Sequence, residues 1–267
     1  VGERSPTVLP ALLSALAGLL VIAGVLSPVV APSLYEGLSE QLVAGTRGQD
    51  VMALALVPVA GWAAGAARRG SLVGPVAWVA VLAFWAYGYA LLAFSMLATP
   101  LYPVYIAVLG LSVFALLMVG TRLETARYAE RLEGAPAWPS ITVLGLTVGM
   151  LAPVWLILMI GGIRDGQMPD TANVFVLDLG FIFPTMVTAI VGLVRRRGWA
   201  WPLAASLVIL TAAMLGSLVV ADAIASLSDA PTDPLPLVVV FAALAAAAVG
   251  AAWGLLGRLK LTAGTGR

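Results

Sequence analysis

Five ionisable residues have a type and placement suited to chemistry: Asp50, Asp178, Asp222, Arg47 and Arg164. Asp178 lies about one turn inside an apolar run, Val174 to Val194, that ends in Arg195, Arg196 and Arg197. A carboxylate in such a run is costly unless it faces a bundle interior or an aqueous cavity, where it can serve as a proton, cation or substrate site. Asp50 opens a second apolar run, Val51 to Ala67, which stops at Arg68 and Arg69, and Asp222 closes a third. Arg47 and Arg164 fall in corresponding polar loops, where they can hold an anionic group or, more ordinarily, pair with neighbouring acids. A competing reading makes Asp50 and Asp178 headgroup-level acids at helix starts, favoured there by the N-terminal dipole.

The elements that must position these residues are membrane spans. Val174 to Val194 is about 21 residues with Asp178 as its one ionisable group, enough at 1.5 Å per residue to cross about 30 Å of hydrocarbon. Pro184, within this run, removes a backbone donor and predicts a kink unless neighbouring helices cover the freed carbonyl. Seven further runs have comparable length: Val8 to Ala31, Val51 to Ala67, Ser71 to Ala98, Pro103 to Gly120, Ile141 to Gly162, Pro202 to Ala221 and Leu237 to Gly257. The first is long for a signal peptide and lacks a clean small-residue cleavage site, so it reads as an uncleaved span. Between the fourth and fifth runs, Glu124 and Arg127 sit at helical neighbour spacing and predict a short surface helix closed by Pro136 and Pro139.

Of 267 residues, 61% are hydrophobic and 10% charged, against roughly 25% charged in soluble domains. The fold class is therefore an all-α integral membrane protein of about eight transmembrane helices. The chain contains no cysteine and no histidine. That excludes disulfides, thiolate or imidazole metal sites, histidine-ligated haem and Ser-His-Asp catalysis within the chain. Glu36, Glu40, Asp165, Asp170, Asp229 and Asp233 enrich the predicted outer loops in oxygen ligands, but without EF-hand spacing they read as solvated acids. No phosphate-binding loop or dinucleotide fingerprint is present, so no cofactor and no metal is assigned. Arginines at span ends need no nucleic acid to account for them, and the expected partners are the lipid bilayer and either other membrane proteins or further copies of the chain.

Placing both termini in the cytoplasm leaves only Arg47 and Arg164 of the 14 basic residues on the outer side, a strong positive-inside asymmetry. Trp138, Trp199, Trp201 and Trp253 then fall at inner span ends, where amphipathic rings settle. A plasma or inner cell membrane is the expected location. Shifting the chain by 128 residues sets Asp50 on Asp178 and Arg68-Arg69-Gly70 on Arg196-Arg197-Gly198. This favours two parallel four-helix repeats, residues 1–135 and 136–267, and in that arrangement both acids can face one outer cavity. The aromatic run Phe84, Trp85, Tyr87, Tyr89 and Phe94 is packing bulk or the lining of a ligand cavity, and Gly61/Gly65, Gly145/Gly149 and Gly250/Gly254 have the spacing of close helix approach. Two functions compete: a small-molecule or proton/cation-linked transport or binding protein using the carboxylate pair, and a non-catalytic accessory or scaffold subunit. An intramembrane enzyme ranks below both, because acid and base must be within reach of each other.

Overall fold

The computed structural model describes residues 7–35, 40–95, 99–169, 172–227, 232 and 234–261. Among the described residues all regular structure is helical: α1 Val8–Val30, α2 Glu40–Arg68, α3 Val73–Phe94, α4 Tyr102–Gly120, α5 Thr125–Arg131, α6 Trp138–Asp165, α7 Ala172–Leu177, α8 Phe183–Val194, α9 Ala200–Leu227 and α10 Leu235–Leu261. A π-turn, Asp178–Ile182, joins α7 and α8 into one span. Among the described residues eight helices, counting that span once, are long and apolar enough to cross a membrane, and the protein is a polytopic membrane protein.

The chain packs as two compact units, one of residues Val1–Leu123 with Ile209–Ala247 and one of Glu124–Val208 with Ala248–Arg267. In the first unit α1 to α4 form a closed four-helix ring, each helix against its sequence neighbour and α1 against α4. Helix α3 is apolar on all sides, and such a helix belongs in an interior. Much of its aromatic run supplies the core: Phe84, Trp85 and Tyr89 are buried together with the earlier Trp78, whereas Phe94 is exposed. The indoles find acceptors, as a buried indole requires. Trp78 Nε1 donates to Ser14 Oγ on α1 at 2.9 Å and Trp85 Nε1 to the Ala53 carbonyl on α2 at 3.1 Å. Packing, not a cavity, accounts for these rings.

Helix α2 begins at Glu40, well before the apolar run that opens at Val51. Asp50 is therefore an interior helical residue, which removes the helix-start explanation for it. The segment holds no proline before Pro58, and Glu40 lies in the first turn, where the dipole favours an acid. At 1.5 Å per residue its 29 residues span about 43 Å, more than the hydrocarbon core demands. Part of the added length packs on α9: a Cβ on Gly48 would lie 2.6 Å from the Ala221 nitrogen and from the Ser217 carbonyl. Only glycine permits that approach.

The glycine pairs at four-residue spacing do not mark such contacts. A Cβ at Gly61, Gly149, Gly250 or Gly254 would meet nothing within 4 Å; at Gly65 it would meet only the Arg69 side chain, and at Gly145 only the Ile190 methyl. The short surface helix expected between the fourth and fifth spans is α5, with Arg127 and Glu124 paired at 3.2 Å. In the second unit α5 rests on the turn after α8, where a Cβ on Gly198 would be 2.9 Å from the Ala129 methyl. Helices α6, α7 and α8 pack together beside it.

Candidate functional site

Asp178 is 3% exposed and opens the π-turn. Pro184 accounts for that turn. Its ring would clash with the carbonyl four residues back and it has no N–H to give, so the preceding backbone widens and Phe183 N–H bonds the Asp178 carbonyl, five residues back. The expected local distortion thus takes the form of a π-turn. Phe175 and Asp178, three apart, share a helix face. Across from them on α6, Trp155 makes two contacts. Its ring lies 5.4 Å from that of Phe175, tilted by 37°, and its Nε1 donates to Asp178 Oδ2 at 2.8 Å. An indole is a donor only, so it bonds an ionised carboxylate or the carbonyl oxygen of a protonated one. Asp178 can gain or lose a proton with this bond kept.

Asp50, 8% exposed, lies in the first unit among different partners. Thr46, four residues earlier, is buried on the same helix face, and the Gln49 amide lies over Gly88 of α3. The Asp50 carboxylate acts electrostatically on two phenols, those of Tyr89 on α3 and Tyr105 on α4. Those rings are 6.0 Å apart and tilted by 56°, and the Tyr105 phenol is hydrogen-bonded to Thr99. Asp50 therefore sits in a polar end of an otherwise apolar bundle, built by three helices and the Thr99 turn.

The remaining candidates are more peripheral. Asp222 is half-buried on α9, next to the Ala221 that abuts Gly48, and its backbone carbonyl accepts from Ser226 Oγ at 2.8 Å. Arg47 is exposed on α2, and Arg164 is exposed in the last turn of α6. Neither arginine has a carboxylate partner among the described residues, so the expected pairing with nearby acids is not found there. The structure thus brings Asp50, Arg47 and Asp222 into the first unit, and places Asp178 and Arg164 in the second. Of the loop acids, Glu40 and Asp165 are exposed, while Glu36, Asp170, Asp229 and Asp233 lie outside the described residues. Among the described residues no three acids gather as a metal site would require.

Trp155, Tyr105, Thr46 and Gln49 escaped sequence reasoning. For Trp155 a signal existed: an indole within an apolar span needs an acceptor, and Asp178 is the one acid well inside a span. No family model, no curated protein and no solved structure matches this chain.

Proposed function

We propose that this chain is a membrane binding or transport protein for a small molecule, a proton or a cation, with Asp50 and Asp178 as its working carboxylates. The observation that carries the reading is that both acids are buried on helices, each beside aromatic groups with polar hydrogens, rather than exposed at helix ends. Intramembrane carboxylates are expensive and are kept where a proton, cation or polar group is handled. Polarity along the span below Asp178 is thin. Thr185 Oγ1 donates to the Phe181 carbonyl at 2.6 Å and Thr188 Oγ1 to the Pro184 carbonyl at 2.8 Å, so both hydroxyls are committed to their own helix. Polarity this thin suits an apolar solute better than a hydrated ion. The positive-inside asymmetry supports cytoplasmic termini in a plasma or inner cell membrane.

The test is flux into proteoliposomes carrying an internal pH dye, under imposed proton, sodium or potassium gradients. Wild-type protein should dissipate at least one gradient faster than empty vesicles, and Asp50→Asn or Asp178→Asn should abolish the difference. Identical flux from wild type and both variants would refute the reading.

The scaffold reading draws on α6, where Leu156, Ile157 and Leu158 are consecutive and all exposed, an apolar surface that a partner helix could cover. Purification from native membranes in mild detergent discriminates: a co-purifying chain at fixed stoichiometry favours the subunit role, and recovery alone or as a homo-oligomer favours self-contained binding.

A further inference from the structure

We propose that the cleft at the C-terminal end of α8 binds the phosphate of an anionic phospholipid headgroup, a role independent of the carboxylate reading. The cleft, of about 240 Å³, is lined by Thr188, Val191, Gly192, Arg195, Arg197 and Trp199. Two arginines, a tryptophan and an aliphatic wall thus line one cleft where an apolar span stops. That is the composition a lipid headgroup requires: planar forks matched to phosphate oxygens, and apolar surface beneath for the glycerol and the first methylenes.

The backbone arranges the arginines for this. The Arg197 N–H bonds the Gly192 carbonyl at 2.8 Å and the Arg196 N–H bonds the Leu193 carbonyl at 3.0 Å, which closes the helix, with Arg196 at φ 53° in the left-handed region. The reversal at Arg196 brings its two neighbours onto one cleft. Helix α2 closes in the same way, but there the left-handed residue is Gly70, at φ 79°. A non-glycine residue at such a position costs stability, so Arg196 stands there against a local preference.

Neither Arg195 nor Arg197 has a carboxylate partner among the described residues, and the Trp199 indole N–H has no acceptor there. The Trp199 ring lies close over Gly192, where a Cβ would approach it to 2.7 Å. The volume is below the roughly 300–1,000 Å³ of drug-sized ligand pockets, which suits a headgroup whose chains lie outside. Val187 and Val191, both exposed on α8, offer the surface for those chains.

The test uses the purified full chain in detergent, with bound lipid counted by native mass spectrometry during titration with phosphatidylglycerol or phosphatidylcholine. Phosphatidylglycerol should bind in preference to phosphatidylcholine, and Arg195→Gln/Arg197→Gln should weaken it about 30-fold, the loss expected for two arginines at an anionic surface. Arg68→Gln/Arg69→Gln, which removes the same charge at the end of α2, should change it less than about threefold. Arg195→Lys/Arg197→Lys retains the charge that sets topology, and serves if the glutamine variant fails to fold; it too should lose preference, because lysine lacks the bidentate fork. Equal losses from the α2 and α8 pairs would reduce the effect to general surface charge and overturn the site. Full displacement by equimolar inorganic phosphate would overturn the lipid assignment in favour of a free anion.

Discussion

Replacing Trp155 with phenylalanine keeps a ring against Phe175 and deletes one N–H. The bond lost is the 2.8 Å contact to Asp178 Oδ2, within the range of charge-assisted hydrogen bonds. With Asp178 only 3% exposed, bulk water cannot replace the donor. Hydrogen bonds to charged groups contribute about 1.5–3 kcal/mol in water-soluble proteins, whereas interhelical bonds in membranes average about 0.6 and reach about 1.7 kcal/mol. A loss of about 1.5 kcal/mol, roughly tenfold in the folding equilibrium, follows for Trp155→Phe. The smaller ring also costs packing, so the informative quantity is the coupling in a double-mutant cycle with Asp178→Ala. Reversible unfolding in mixed micelles, followed by tryptophan fluorescence and circular dichroism, supplies the four free energies. We expect a coupling of at least about 1 kcal/mol. A value within the about 0.5 kcal/mol typical of unconnected sites would refute the clamp between α6 and the π-turn.

Other predictions follow from local geometry. Gly48→Leu drives a side chain into Ala221 and the Ser217 carbonyl and should destabilise the first unit by about 3 kcal/mol or more, read as a lowered melting temperature. Arg196→Gly relieves a left-handed non-glycine residue and should stabilise by about 1 kcal/mol, while Gly70→Ala should cost about the same; equal and opposite shifts in micelle unfolding check both. Burial pushes the Tyr128 phenol of α5 well above its ordinary value, with Arg127 opposing the shift and Glu124 adding to it. A raised value means that the contribution of the neutral phenol is fully present below about pH 10 and is lost as pH rises further, first through ionisation of the unfolded state. Proteolysis of the α5 segment should therefore accelerate above about pH 10 in wild type, with a weaker alkaline dependence in Tyr128→Phe. Because the chain has no cysteine, a single Glu133→Cys variant should be labelled by an impermeant thiol reagent from the cytoplasmic side only.

The eight spans were legible because hydropathy over about 20 residues reads burial in lipid directly, and their ends fell within a few residues at α1, α4 and α6, whereas α9 runs on past Ala221 to Leu227. The start of α2 was not legible. Glu40 to Asp50 is polar, and a polar helix packed on α9 through Gly48 leaves no hydropathy signal. Asp178 was visible as an anomaly, but its partner was not: Trp155 is 23 residues away and becomes its neighbour only when α6 packs on α7. Spacing of glycines misled, since close approach occurs at Gly48 and Gly198, single positions set by crossing geometry rather than by a repeat. The proposed duplication stands on the residue pattern alone. Under the 128-residue shift Arg68 ends a helix, whereas Arg196 lies two residues past the end of one.

The central claim is that Asp50 and Asp178 handle a proton, a cation or a small polar ligand. It is tested most directly by thermal unfolding of the purified chain across pH and with sodium, potassium, magnesium or calcium, for wild type, Asp50→Asn and Asp178→Asn. A ligand bound at 100 times its Kd stabilises the folded state by about 2.7 kcal/mol, well within detection. The account predicts a stabilisation by at least one of these ions, or a step with pH, that disappears in one or both variants. Melting profiles that coincide for all three proteins under every ion and pH would contradict it.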